Sequence, residues 1–285
     1  MSTLAEPRYA DDLDEMQDFP LREGLGWRGR REAKELRTIS RGVMLVTGEP
    51  GSGKDLLGVS FCARQKYLFG RKILLDFLPR RAFGEYTLFN SRVMGEEINR
   101  MAKQAGVEGI EGTNDKEEID EFVEDATRHW ALEGEGEVLL KNSILYLSEL
   151  KRYCYNRNPH NRFNKFIGSI NTVWRHLDLL VIGTHVHAHE IDQYTYLQYA
   201  KIRAKCDWSL TRPHTTDVAI ARGAFIGSDC VYRVEGKPLI LHVDGSAERS
   251  WLGGKRFYDL YKTKSMVNLK PATVKETQLT HKEVN

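Results

Sequence analysis

Cysteine is scarce in this 285-residue chain, and its placement has no metal or disulfide pattern. Cys62, Cys154, Cys206 and Cys230 stand far apart with no C-x-x-C pair. That argues against a zinc site or disulfide frame and for reduced, mostly buried thiols of a cytoplasmic protein. Long apolar runs are missing too. No stretch approaches the ~20 residues that cross a bilayer, and the N-terminus is acidic rather than signal-like. A soluble chain with no transmembrane segment is therefore expected. An excess of one charge is missing from the total, +2, but not from its distribution. Residues 107–137 hold twelve Asp or Glu against one Lys and one Arg, a net −10, which leaves +12 on the rest. That remainder permits a nucleic-acid surface without proving one. At this length the chain holds one large α/β domain with extensions, or two small ones.

What the chain does have is a strand–loop–helix signature. Val43-Met44-Leu45-Val46 is a short apolar run that reads as a buried strand, and residues 56–67 are periodic like a helix. Between them, Gly48-Glu49-Pro50-Gly51-Ser52-Gly53-Lys54-Asp55 carries the spacing G-x-x-x-x-G-K. Glycines let such a loop wrap closely enough for its N–H groups to point inward. The helix N-terminus adds partial positive charge, and Lys54 reaches the β- and γ-phosphates of a nucleotide. All eight residues are candidates for nucleotide contact.

Two residues of the usual pattern are absent. After the loop lysine such loops carry Ser or Thr, whose hydroxyl ligates Mg2+; here the residue is Asp55. The metal-side strand of such proteins ends in Asp-Glu, whereas the candidate Ile144-Leu145-Tyr146-Leu147-Ser148-Glu149 has Ser in place of that Asp. One carboxylate and one hydroxyl supply the same hard-oxygen inventory either way round, so Asp55 and Ser148 are candidate Mg2+ ligands by exchange. Nucleotide binding should then depend unusually strongly on Mg2+. The competing reading is a hydrolysis-dead loop in which Asp55 only caps the helix. Glu149, at the strand end, is the candidate general base or water-orienting residue, against a plain surface Glu opening a helix.

In chain order, residues 1–40 read as an arm, acidic at first and basic from Arg22 onward; a solvated helix and a nucleic-acid or subunit contact both fit. Residues 72–77 read as a second strand and 91–104 as a helix. The acidic insert, 107–137, reads as an elaboration on the core whose 116–130 part is a solvated amphipathic helix. A helix at 164–176 and a strand at 179–185 follow. Strands alternating with helices imply a parallel sheet with ligands at the carboxyl strand ends, so Glu149, Thr184, His185 and the phosphate loop would share one edge. His185-x-His187-x-His189 also suggests zinc, although a polar strand tip with loop histidines explains the same letters. Residues 218–220, 230–234 and 239–243 read as further strands, with a turn at Glu235-Gly236-Lys237-Pro238 joining the last two at the sheet edge. Residues 266–285 read as a disordered tail.

Gly48 to Lys54, the strand ending at Glu149, Arg157, Trp174-Arg175-His176-Leu177-Asp178, Thr184-His185, Ile191-Asp192, Ile202-Arg203 and Asp207 run in a recognisable order. Together they resemble the phage and archaeal-virus ATPases that include zona-occludens-toxin-like assembly proteins, in the FtsK/HerA-like branch of P-loop motors. The segment from Gly254 to Thr263, with Tyr258-Asp259, is similar to a tyrosine-rich ending common among them. The resemblance implies an ATPase domain at 41–265 with an α/β P-loop NTPase fold of the ASCE/RecA-like kind. That fold is a three-layer sandwich with a mostly parallel central sheet and an antiparallel C-terminal edge.

The same resemblance implies Mg2+-dependent ATP hydrolysis in a homo-oligomeric ring, hexamer or pentamer. The ring would translocate double- or single-stranded viral DNA into a capsid, with capsid or portal-vertex proteins as partners, in the host cytoplasm or on the virion. His185 stands where the family has a sensor glutamine. A neighbouring subunit would supply an arginine to the transition state; Arg175 fits best, with Arg157 and Arg203 as competitors. Membrane-anchored members have a spanning helix that is lacking here, which favours packaging over extrusion. Two rivals stand beside this reading. One is a weakly hydrolysing, nucleotide-binding structural or regulatory subunit; the other is a filamentous-phage assembly ATPase working with a membrane partner.

Overall fold

The structure, a computed structural model, describes residues 39–79, 85–104, 116–210, 215–226 and 230–244. The arm before residue 39, the first part of the acidic insert, the Tyr258-Asp259 segment and the tail lie outside the described residues. The strands are β1 (Gly42–Thr47), β2 (Lys72–Leu75), β3 (Thr87–Leu88), β4 (Ser143–Leu147), β5 (Leu180–His185), β6 (Ile202–Trp208), β7 (Thr215–Ile226) and β8 (Val231–Asp244). The helices are α1 (Lys54–Phe69), α2 (Ser91–Gln104), α3 (Lys116–Glu133), α4 (Glu135–Leu140) and α5 (Arg162–Leu177).

β1 alternates its side chains between two apolar cores. Met44 and Val46 pack with Leu56, Leu57, Val59 and Phe61 of α1 on one face. Val43 and Leu45 pack with Met94 and Ile98 of α2, Val123 of α3, and Phe166 and Ile167 of α5 on the other. A strand apolar on both faces belongs inside a parallel sheet covered by helices on both sides. The sheet order is β3-β2-β4-β5-β1-β6-β7-β8. Strands from β3 through β6 pair in parallel, while β6–β7 and β7–β8 pair antiparallel. The architecture is thus the three-layer α/β sandwich with an antiparallel C-terminal edge. β5 stands between the phosphate-loop strand β1 and the strand β4 that ends before Ser148 and Glu149.

The elements differ from the sequence reading in three places. Helix α3 is part of the second core rather than a solvated elaboration. Trp130 is 4% exposed, stacks on Phe89 with ring centroids 6.3 Å apart and meets Phe166 at 5.5 Å. Its acids crowd the outward face and hide an apolar stripe that the core requires. Next, β6 carries a clear period of two that the reading passed over: Ile202, Ala204 and Cys206 are buried while Lys205 and Asp207 are exposed. Finally, Glu235-Gly236-Lys237-Pro238 is no turn. β8 runs through it, and the pairing jumps from Ile220 opposite Leu239 to Arg222 opposite Glu235. The extra residues form a bulge, with Gly236 at φ +79; Pro238, which has no N–H to give the ladder, is tolerated there. No described helix is long and apolar enough to cross a membrane.

Candidate functional site

Parallel strands put the carboxyl ends of β1, β2, β4 and β5 on one edge of the sheet. The phosphate loop leaves β1 there. Two glycines fix its path, because β6 and β7 press on it from behind. A Cβ on Gly48 would stand 2.4 Å from the Cys206 carbonyl oxygen and 2.4 Å from Ser52 Oγ. A Cβ on Gly53 would stand 1.8 Å from Thr216 Oγ1, and Gly53 also adopts φ +85. Glu49, Pro50 and Gly51 form the exposed tip, closed by Ser52 N–H donating to the Glu49 carbonyl at 3.1 Å. Helix α1 starts at Lys54 with no side-chain cap, and Asp55 lies in its first turn. Its leading N–H groups are therefore disposed to hold an anion. The Lys54 ammonium lies across the loop, donating to the Gly48 carbonyl at 2.8 Å and to the Glu49 carbonyl at 2.9 Å.

The two candidate Mg2+ ligands are each tied to another group. Tyr146 donates its hydroxyl to Asp55 Oδ1 at 3.1 Å. Burial raises the Asp55 carboxyl; the Tyr146 bond and the Lys54 charge oppose that rise, and Glu149 adds to it. Ser148 donates its hydroxyl to Asp76 Oδ2 at 3.1 Å, and Tyr153 donates to the same oxygen at 3.2 Å. Asp76, just past β2, is fully buried. Burial pushes its carboxyl up to about 7 against the pull of Ser148 and Tyr153, and its Oδ1 has no hydrogen-bond partner.

The sequence reading gave Asp76 no role. The signal was there, since Ile73-Leu74-Leu75-Asp76 is an apolar strand ending in Asp, the shape sought at residue 148. Asp55 and Ser148 offer one carboxylate and one hydroxyl, a donor type that suits Mg2+, with Asp76 bonded to Ser148 from behind. That ion prefers hard oxygens and takes one or two carboxylates besides phosphates and waters. Among the described residues no group of three or more His, Cys, Asp or Glu is placed to hold a metal ion. The three histidines do not converge: His187 and His189 stack on each other with centroids 5.3 Å apart, while His185 turns elsewhere.

His185 is the last residue of β5, paired with Thr47 of β1, and is 4% exposed. Its Nε2 lies 2.6 Å from Glu190 Oε2 and its Nδ1 3.9 Å from Glu149 Oε2. Lys151 Nζ donates to the other Glu190 oxygen at 3.0 Å. The His185 bond, then Lys151, hold the Glu190 carboxyl down at about 2. Glu149 opens a 3-10 turn in the left-handed region, φ 51, with its N–H on Thr184 Oγ1 at 3.3 Å. A non-glycine residue held there costs about 1–2 kcal/mol, strain that clusters at functional sites. Glu149, Thr184, His185 and the phosphate loop thus meet at one edge. Glu190 joins them unforeseen, since no motif links it to its partners.

The three arginines are spread apart. Arg175 is in the last turn of α5 with its guanidinium 5.1 Å from the Trp174 ring centre. Trp174 stands beside Gly42, where β1 begins, so Arg175 lies at the edge opposite the phosphate loop of its own chain. Arg157 is exposed in the loop between β4 and α5, on the phosphate-loop edge. Arg203 reaches Thr47 Oγ1 with its Nε at 3.3 Å.

No protein-family model matches the chain, and no curated protein matches it. Among solved structures it is similar to the N-terminal domain of zonular occludens toxin from Neisseria meningitidis, at 14% identity and TM-score 0.42, over 78% of this chain and 100% of that one. It is similar to the genome packaging NTPase B204 from Sulfolobus turreted icosahedral virus 2, solved with AMP, at 11% identity and TM-score 0.36, over 70% and 99%. A KaiC-like protein from Pyrococcus horikoshii is similar at 12% identity and TM-score 0.32, over 69% and 83%. Two of the three are of the kinds the residue order resembles, and each is a likeness of fold from which no activity passes to this chain.

Proposed function

We propose that the chain binds ATP with Mg2+ at the phosphate loop and hydrolyses it as one subunit of a homo-oligomeric ring that moves viral DNA into a capsid. One observation carries the reading. A glycine-bounded loop with Lys54 across it stands on the same sheet edge as Glu149 and His185, with β5 interposed between the two nucleotide-side strands. In this reading Lys54 leaves the Gly48 and Glu49 carbonyls for the β- and γ-phosphates. Glu149 accepts the proton of the attacking water or orients it. His185, clasped by Glu190, reports on the γ-phosphate from the strand between. Asp55 and Ser148 hold Mg2+, which supplies charge neutralisation on the phosphate oxygens when bound. Arg175 lies away from its own phosphate loop, so any part it plays is on a neighbouring copy's nucleotide.

The test is ATP hydrolysis with and without DNA. Turnover that DNA stimulates, lost in Lys54→Ala and in Glu149→Gln, is the expected result; turnover indifferent to DNA removes the motor. Arg175→Ala should keep ATP binding and lose turnover, and normal turnover strikes it from the candidates. A second reading, the weakly hydrolysing structural or regulatory subunit, draws on Asp55 and Ser148 each being bonded elsewhere in the chain. It predicts binding with negligible turnover. A membrane-bound pool in cell fractionation would point instead to a filamentous-phage assembly factor.

A further inference from the structure

The carboxylate that the metal-side strand lacks at residue 148 is present one strand away. β2 and β4 pair in register, Leu75 opposite Tyr146, and Asp76 N–H donates to the Tyr146 carbonyl at 3.3 Å. That clamps the tip of β2 against β4 and brings Asp76 Oδ2 within 3.1 Å of Ser148 Oγ. Tyr153 fixes the same oxygen from the turn that follows.

We infer that Asp76 and Ser148 act as one unit on the cation side of the phosphate loop: the carboxylate accepts the serine hydroxyl's hydrogen bond, so the serine oxygen would turn only its lone pairs to a hydrated Mg2+ on a bound nucleotide. A hydroxyl has one proton and two lone pairs. Once its proton is committed to a carboxylate it serves as an acceptor, polarised toward alkoxide, and delivers part of the aspartate's charge at one remove. Ligand-orienting partners of this kind sit directly behind metal ligands. Asp76 is thus a positioning residue, acting through Ser148. The burial of Asp76 supports the assignment. The Ser148 backbone N–H, the Ser148 and Tyr153 hydroxyls and the Arg152 charge favour the carboxylate, yet burial outweighs them, and Oδ1 makes no hydrogen bond. A core that needed only shape at this place would be served as well by an apolar residue, because an uncompensated buried carboxylate costs stability. A divalent cation held beyond Ser148 would add to the partial compensation that these groups give.

The inference rests on the nucleotide reading, and the experiment separates the two. A fluorescent ATP analogue is titrated onto the full chain across a Mg2+ series, for the wild type, Asp76→Asn, Ser148→Ala and the double variant. Each single variant should raise the Mg2+ needed for half-maximal binding by about ten-fold or more. The double variant should be no worse than the worse single one, because the pair works as a unit. Asp76→Asn should also keep or raise thermal stability without nucleotide, the reverse of what a structural carboxylate would give. An unchanged Mg2+ requirement in both single variants overturns the inference, and so does a double variant whose losses add. If Asp76→Asn does not fold, Ser148→Ala decides alone by the same Mg2+ shift. A wild type whose binding ignores Mg2+, or that does not bind, defeats the nucleotide reading itself.

Discussion

Tyr146 joins the carboxyl end of β4 to the first turn of α1 by donating to Asp55 Oδ1 across 3.1 Å. Burial raises the Asp55 carboxyl and this bond is the largest effect opposing it. Tyr146→Phe should therefore raise it further, so protons compete more strongly with any cation at that carboxylate. Affinity for an ATP analogue in Mg2+ should fall more steeply as pH is lowered in the variant than in the wild type. Parallel curves would show that the bond does not govern the ionisation of Asp55. The lost bond should also lower stability by about 1 kcal/mol.

Lys54 satisfies its ammonium on two loop carbonyls without any ligand. Lys54→Ala should consequently stay folded while losing the rise in melting temperature that ATP gives the wild type. At a ligand concentration about 100 times Kd that stabilisation is ~2.7 kcal/mol in the wild type. A variant stabilised as much as the wild type would mean that the nucleotide does not engage this lysine.

The loop has no room behind Gly53. Gly53→Ala meets Thr216 Oγ1 at 1.8 Å and must hold φ +85, so it should destabilise the fold by roughly 2 kcal/mol or more. Adding Thr216→Ala removes the 1.8 Å contact but keeps the Thr216 Cβ at 2.9 Å, so it should relieve the clash only in part and leave the backbone strain, about 1–2 kcal/mol. Denaturant midpoints of both singles and the double form a cycle, and strict additivity would show that the two residues are not in contact.

Glu190 should contribute to the acid limb of stability. Its carboxyl is held at about 2 in the fold, against an ordinary 4.5, by His185 and then Lys151. A depressed acid stabilises the fold above its unfolded pKa, and that contribution is lost as pH falls from about 4.5 to about 2. Glu190→Gln should lower stability at neutral pH and flatten that limb, measured by urea unfolding across the range. An acid limb as steep as the wild type's would assign it to other carboxyls.

The phosphate loop and β1, β4 and β5 were legible because each is a local pattern: glycine spacing at 48–53, and apolar runs too short for helices. Contacts made by sheet order were not. Ser148 and Asp76 are 72 residues apart, and only the pairing of β2 with β4 brings them together. The 116–130 helix was read as solvated because its acids outweighed its apolar period, whereas Phe89 and Phe166, each distant in the chain, bury Trp130. Glu235-Gly236-Lys237-Pro238 was read as a turn from its glycine and proline; a bulge within β8 absorbs them instead. Arg175 was placed by its nearness in sequence to β5. The chain reverses between them, so the helix end and the strand tip face opposite edges.

The bulge in β8 also bears on how the molecule meets copies of itself. β8 is the last strand of the described sheet and exposes Val231, Val234 and Ile240 along its length. An unbroken fourteen-residue ribbon of this kind would be a template for stacking one sheet onto another without limit. The kink at Gly236 and the missing amide of Pro238 cut the ribbon into two short, misaligned halves. Growth of the sheet by ladder addition along this edge is thereby disfavoured.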